Sequence, residues 1–157
     1  MRRTIWIIGI IVVVLLVAMQ FRRPNFDRQS VDAAATLQAQ LHPPAQVAET
    51  LQRSCANCHS AQGEIPWYGH VWPSSVLLKD DIRQARGRFD LSTWGNLSPE
   101  MSRIRLLNAC AAMRSSDMPL WYYRPMHPGS APKPDEVETF CAWALAQPVG
   151  RNLASLQ

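Results

Sequence analysis

Alternating strands, internal repeats and a usable surplus of charge are all missing from this chain of 157 residues. Without runs of period two there is little from which to build a sheet, so the fold has to come from helices. The absence of a repeat excludes solenoids and propellers. The formal net charge of +4 looks basic, yet Arg2, Arg3, Arg22 and Arg23 account for all of it. The remaining 12 of the 16 Lys+Arg balance 12 Asp+Glu, which leaves no basic stripe for nucleic acid. Cysteine is scarce as well, and Cys110 and Cys141 are isolated. A structural zinc site commonly draws on two spaced pairs, and a redox C-x-x-C on thioredoxin-like βαβ surroundings. Neither is present.

What is present is Cys55-Ala56-Asn57-Cys58-His59. This is the spacing that attaches a c-type haem. Two thiols on one turn each add to a vinyl group of the same porphyrin, and the adjacent His59 imidazole lies beneath the ring as an iron ligand. One covalent haem is the cofactor this motif predicts.

Residues 4–21 carry no formal charge. As a helix this segment is ~27 Å long, close to the ~30 Å hydrocarbon core of a bilayer. Its exit, Leu16-Val17-Ala18-Met19-Gln20-Phe21, makes a poor cleavage site, so it reads as an uncleaved signal-anchor. The flanking arginines give only a slim orientation bias. Covalent haem attachment resembles a process of the outer side of a bacterial inner membrane, which places the bulk of the chain in the periplasm. The expected organisation is an anchor over residues 1–23, a tether with a possible short helix over 24–44, a haem domain over 45–148 and a tail over 149–157.

The haem domain reads as all-α. Residues 31–41 are Ala/Gln-rich and form a thin helical pattern that Pro43-Pro44 ends. Val47, Leu51 and Cys55 at i, i+4, i+8 mark a helix leading straight into the haem motif. Residues 60–72 read as loop. A helix follows from Pro73 to about Gly87, with Val76, Leu77, Ile82 and Ala85 on its apolar side. Ser98 and Pro99 open another as N-cap and N1, with Met101, Ile104, Leu107 and Ala111 as its stripe. Residues 115–132 are loop. The last helix starts at Pro134 with Val137, Phe140, Cys141, Ala144 and Leu145 on one side.

From about residue 45 to 146 the chain resembles the bacterial haem-binding domain family of small c-type cytochromes. The resemblance rests on Cys55-Ala56-Asn57-Cys58-His59-Ser60, Pro66-Trp67-Tyr68, Asp81-Ile82 with Gly87-Arg88, and Leu91-Ser92-Thr93-Trp94. Met118-Pro119, Tyr122 or Tyr123, His127-Pro128 and Trp143 complete it. Leu120 stands where a second proline is usual. The order of segments is also similar to the class I cytochrome c plan, which implies that the first and last helices cross and pack beside the haem.

Candidate sixth ligands are Met118, then His127, then an open site. Met118 lies in a loop before Pro119, which holds it extended, and the resemblance points to the same residue. Met101 and Met113 fall within a helix and read as core. Pro66, by its distance beyond the motif and by cytochrome analogy, offers a carbonyl to the second nitrogen of His59. Trp67, Tyr68, Trp94 and Trp121 wall the haem and offer donors to its propionates; Trp143 reads as core. Arg86, Arg88 and Arg124 are either propionate partners or solvated charges. Cys110 and Cys141 sit on helices in an oxidising compartment, where a disulfide is favoured over two buried thiols.

With both axial positions filled, the expected function is a membrane-anchored one-electron carrier rather than an enzyme. It would exchange electrons with redox proteins of the periplasm or inner membrane and bind no small-molecule substrate. The alternative is a haem-based sensor or ligand-binding module, or an accessory domain of a haem peroxidase system, with a displaceable sixth ligand.

Overall fold

The computed structural model describes residues 2–22, 24–26 and 30–148. It contains α1 (Arg2–Gln20), α2 (Leu37–Leu41), α3 (Ala45–Ser54), α4 (Ala56–His59), α5 (Ser74–Arg88), α6 (Pro99–Arg114) and α7 (Pro134–Leu145), joined by short 3-10 turns, with no strand among the described residues. Two compact units emerge, one within residues 1–27 and 64–84, the other within 28–63 and 85–157. Arg23 and the expected tail over 149–157 lie outside the described residues.

In the first unit, α1 has a mean hydropathy of 2.3 and no buried residue. It is long and apolar enough to cross a membrane. Its last residue, Gln20, exchanges a pair of hydrogen bonds with Trp72, donating to the carbonyl at 3.2 Å and accepting from the amide at 3.0 Å. The segment expected as loop contains a 3-10 turn, Trp67–His70. Gly69 is needed there, because a Cβ would meet Ile65 Cγ2 at 2.7 Å and Leu78 Cδ2 at 2.8 Å. Along the part of α5 in this unit the buried apolar side chains are Leu78 and Ile82, whereas the expected Val76 and Leu77 are exposed; the expected Ala85, buried too, belongs to the second unit.

The second unit holds the larger core. Thr36 caps α2 through Ala39 N, and Asp32 caps the 3-10 turn before it through Ala34 N. These two side chains offer the backbone local partners and split the expected helix over 31–41 in two. Leu37, in the segment read as a tether, is fully buried with Val47 and Leu51 of α3. From α6 the core takes Leu106, Cys110 and Met113, and from α7 Val137, Phe140, Cys141 and Ala144. The expected stripe on α6 is therefore rotated: Met101 and Ile104 are exposed, and so is Leu145 on α7.

α7 packs on both α3 and α6. Cys110 and Cys141 are joined by a disulfide that ties α6 to α7. Arg53 of α3 meets Glu136 of α7 at 2.6 Å. Arg103 of α6 donates to the carbonyls of Leu145, at 2.9 Å, and of Gln147, which satisfies acceptors that a helix end leaves open.

Candidate haem-binding site

Cys55 interrupts the helix between α3 and α4, with φ −121° and ψ −36°. Its carbonyl then accepts from Cys58 N at 3.2 Å and from His59 N at 2.9 Å. The whole motif thus occupies one helical turn, with both cysteines half-buried. Burial pushes the Cys55 thiol up to about 12, with the neighbouring Cys58 adding to the rise. Redox-exchange cysteines need a depressed value instead.

The packing of this turn requires a glycine nearby. A Cβ on Gly63 would collide with the Asn57 carbonyl oxygen and lie 2.8 Å from Ala56 O. The chain leaving the motif passes directly over its backbone.

His59 Nδ1 lies 2.7 Å from the carbonyl oxygen of Phe89. A carbonyl only accepts, so Nδ1 carries the proton and Nε2 keeps a lone pair for a metal. Burial lowers the pKa of His59, with the Phe89 hydrogen bond opposing, and the ring is neutral near pH 7. The acceptor expected from Pro66 is corrected here to Phe89. Phe89 also packs edge-on against the imidazole, with ring centres 5.4 Å apart. Leu91 N donates to His59 O at 2.8 Å, and Ser92 Oγ accepts from Ala61 N at 2.9 Å. Asp90 holds this strap in a turn by accepting from Ser92 N at 2.8 Å. Residues 89–92 therefore orient the imidazole and bind the turn that carries it.

Met118 follows directly on the end of α6. There Ser116 adopts the left-handed conformation, with φ 60°. Ser116 N donates to Met113 O at 3.1 Å and Asp117 N to Ala112 O at 3.0 Å, the two bonds of a Schellman termination. Met118 N shares the Ala112 carbonyl at 3.1 Å. Farther along this loop, Tyr123 Oη accepts from Asn57 Nδ2 at 3.0 Å. His127 stacks on the Tyr123 ring, 3.9 Å away and 7° from parallel. Burial raises the Tyr123 pKa and lowers that of His127. The middle of the cysteine motif is thus linked to the loop that carries both candidate sixth ligands.

Other expected residues take different places. Trp94 is buried; its Nε1 donates to Ser102 Oγ at 2.8 Å and its ring packs on Phe89. It is a core residue behind the His59 support, and its donor is committed within the protein rather than to a propionate. Trp121 is 78% exposed and stands edge-on to Tyr122. Within the first unit Trp67 is 69% exposed and edge-on to the half-buried Tyr68. Arg86 donates to Ser60 O at 2.6 Å, and Arg124 donates to the carbonyls of Ser116 and Pro119. Both hold backbone, a role outside the two alternatives considered for them. Met113 is core as expected, but Met101 is exposed. Trp143 packs at the core margin against Phe140.

Among the described residues no three His, Cys, Asp or Glu side chains converge to hold a metal ion. Two thiols and one imidazole on a single turn, with the imidazole's second nitrogen already tied, suit a porphyrin rather than a bare cation. The fold and this donor set define a small helical haem-binding protein. Residues 14–146 match the haem-binding domain family. The chain belongs to that family. Neither a curated protein nor a solved structure matches it.

Phe89, Gly63 and the Asn57–Tyr123 link are not legible as site features in the sequence. A carbonyl acceptor leaves no trace in residue type, so Phe89 had no signal. Gly63 had a faint one, as a glycine soon after the motif.

Proposed function

We propose that this chain is a membrane-anchored monohaem c-type cytochrome that carries single electrons in the periplasm. The observation that carries the reading is His59, held neutral with Nδ1–H on Phe89 O at 2.7 Å and Nε2 left for iron. Cys55 and Cys58 would tether a porphyrin through thioether bonds, and Met118 would be the second iron ligand beside His59. When bound, the haem supplies one-electron chemistry at its iron, with a potential raised by a thioether ligand. The protein holds both ligands in place so that little rearranges when charge changes. Two features support the compartment: the Cys55-Ala56-Asn57-Cys58-His59 motif, whose spacing suits covalent haem attachment, and the disulfide between Cys110 and Cys141, which belongs to an oxidising environment. Support for the anchor is α1, with its mean hydropathy of 2.3. Electrons pass to and from redox partner proteins of the periplasm or inner membrane.

The test is to express the full chain in cells able to mature c-type haem, denature it, and extract with acidic acetone. Haem that remains with the polypeptide, and is lost in the double variant Cys55→Ser/Cys58→Ser, is the expected result. Haem that is extracted freely from the wild-type chain contradicts the covalent attachment.

A further inference from the structure

We infer that Arg124 is a positioning residue for Met118, acting through the backbone on either side of it. The inference rests on the reading above that Met118 is the second axial ligand. A thioether binds iron weakly and competes with water, so its loop has to be held before it binds. The end of α6 supplies one hold, since Asp117 N and Met118 N both donate to Ala112 O. That hold depends on Ser116 staying left-handed at φ 60°, a conformation disfavoured for a residue with a Cβ.

Arg124 supplies what keeps this conformation in place. Its Nε donates to Pro119 O at 2.7 Å, and its Nη2 donates to Ser116 O. One guanidinium therefore bridges the carbonyl two residues before Met118 and the carbonyl one residue after it. The side chain is half-buried; its bond to Pro119 O is partly shielded from solvent, whereas its bond to Ser116 O is exposed. The turn that delivers Arg124 is itself closed, with Tyr123 N donating to Leu120 O at 2.9 Å. Tyr123 in turn accepts from Asn57 of the haem motif at 3.0 Å. The clamp is thereby referenced to the turn that holds the other axial ligand. A planar fork with fixed N–H directions can satisfy both carbonyls at once; an ammonium in its place cannot do so from the same backbone position.

This separates two ways in which an arginine near a haem can act. If it works by charge, through the propionates or the iron, lysine replaces it. If it works as a fork on two carbonyls, lysine fails much as a neutral residue does.

The test uses full-length holoprotein with Arg124→Lys, Arg124→Gln and, as reference, Met118→Ala. Three properties are measured: the far-red charge-transfer band of methionine-ligated ferric haem, the rate of carbon monoxide binding to the reduced protein, and the denaturant midpoint. The expected result is a weakened band and carbon monoxide binding about tenfold faster in both arginine variants, the size expected when one charge-assisted bond is lost. Met118→Ala abolishes the band and gives the fastest binding. If Met118→Ala alters these properties while both arginine variants match wild type, Arg124 does not position the ligand and the ligand reading stands. The inference is equally overturned if Arg124→Lys matches wild type and only Arg124→Gln differs, or if both lower the midpoint without moving the band or the rate. If Met118→Ala changes nothing, the ligand reading fails and takes the inference with it. Should Arg124→Gln fail to accumulate, Arg124→Lys against Met118→Ala still decides.

Discussion

His59 shows how a single proton sets the chemistry of a ring. Because Nδ1–H is committed to Phe89 O at 2.7 Å, the free lone pair lies on the nitrogen that a metal needs. Nothing in the residue types announces this, since any residue at position 89 carries a carbonyl. The motif itself was legible because chemistry forces its spacing. Gly63 tests the packing around that motif. A Cβ there meets backbone of Asn57 and Ala56, atoms that cannot rotate away, so Gly63→Ala is expected to destabilise the holoprotein by about 1–3 kcal/mol. Gly87, in α5, has nothing within 4 Å of its would-be Cβ, and Gly87→Ala is expected to stabilise by about 0.4–1 kcal/mol. Denaturant unfolding of the pair measures the contrast. Equal effects would show that the chain after the motif can give way.

Helix starts were readable and helix faces were less so, for a physical reason. Ser98-Pro99 and Pro134 mark their positions by capping and by the fixed φ of proline, and α6 and α7 begin where those residues stand. On α6, however, apolar residues occur almost all round, and Leu106, Cys110 and Met113 compete with Met101, Ile104 and Leu107. The disulfide to Cys141 requires Cys110 to face α7, and that constraint selects the buried face. Closing a loop with a sequence separation of 31 should stabilise the fold by about 3–4 kcal/mol. Replacing both cysteines by alanine should lose that amount. Thiol titration of the denatured, oxidised holoprotein should find no reactive thiol; two reactive thiols would contradict the bridge. Between α3 and α7 an ion pair, Arg53 to Glu136, adds to the apolar contact. The hydrogen bond from Arg53, then that from Lys133 N, lowers the Glu136 pKa. A carboxyl depressed in the folded state contributes stability above its ordinary pKa and loses it as pH falls through the folded value. The wild type should therefore lose more stability than Glu136→Gln on acidification below the ordinary carboxylate range, by on the order of 1 kcal/mol. Parallel pH profiles in urea would exclude that role for Glu136.

At the scale of the whole molecule, the all-helical class and the apolar N-terminal helix were both readable, the first from missing strand patterns and the second from an uncharged run. The partition into units was not. The segment before Pro43 reads as a tether with a short helix, yet Leu37 is buried in the larger core, because one leucine in a thin pattern does not reveal what it packs against. The described core is built around Phe140, Leu106 and the bridge, while His59 and the Met118 loop reach the same unit from opposite parts of the sequence. On the proposed reading, with His59 and Met118 as the iron ligands, one body would hold both, as a carrier requires. Spectroelectrochemical titration of the full-length holoprotein, with carbon monoxide added to the reduced form, tests this most directly. A single one-electron transition between low-spin states, a far-red methionine band in the ferric form, and slow, incomplete carbon monoxide binding are the result expected of such a carrier. A high-spin reduced form that binds carbon monoxide at once and completely would contradict that reading.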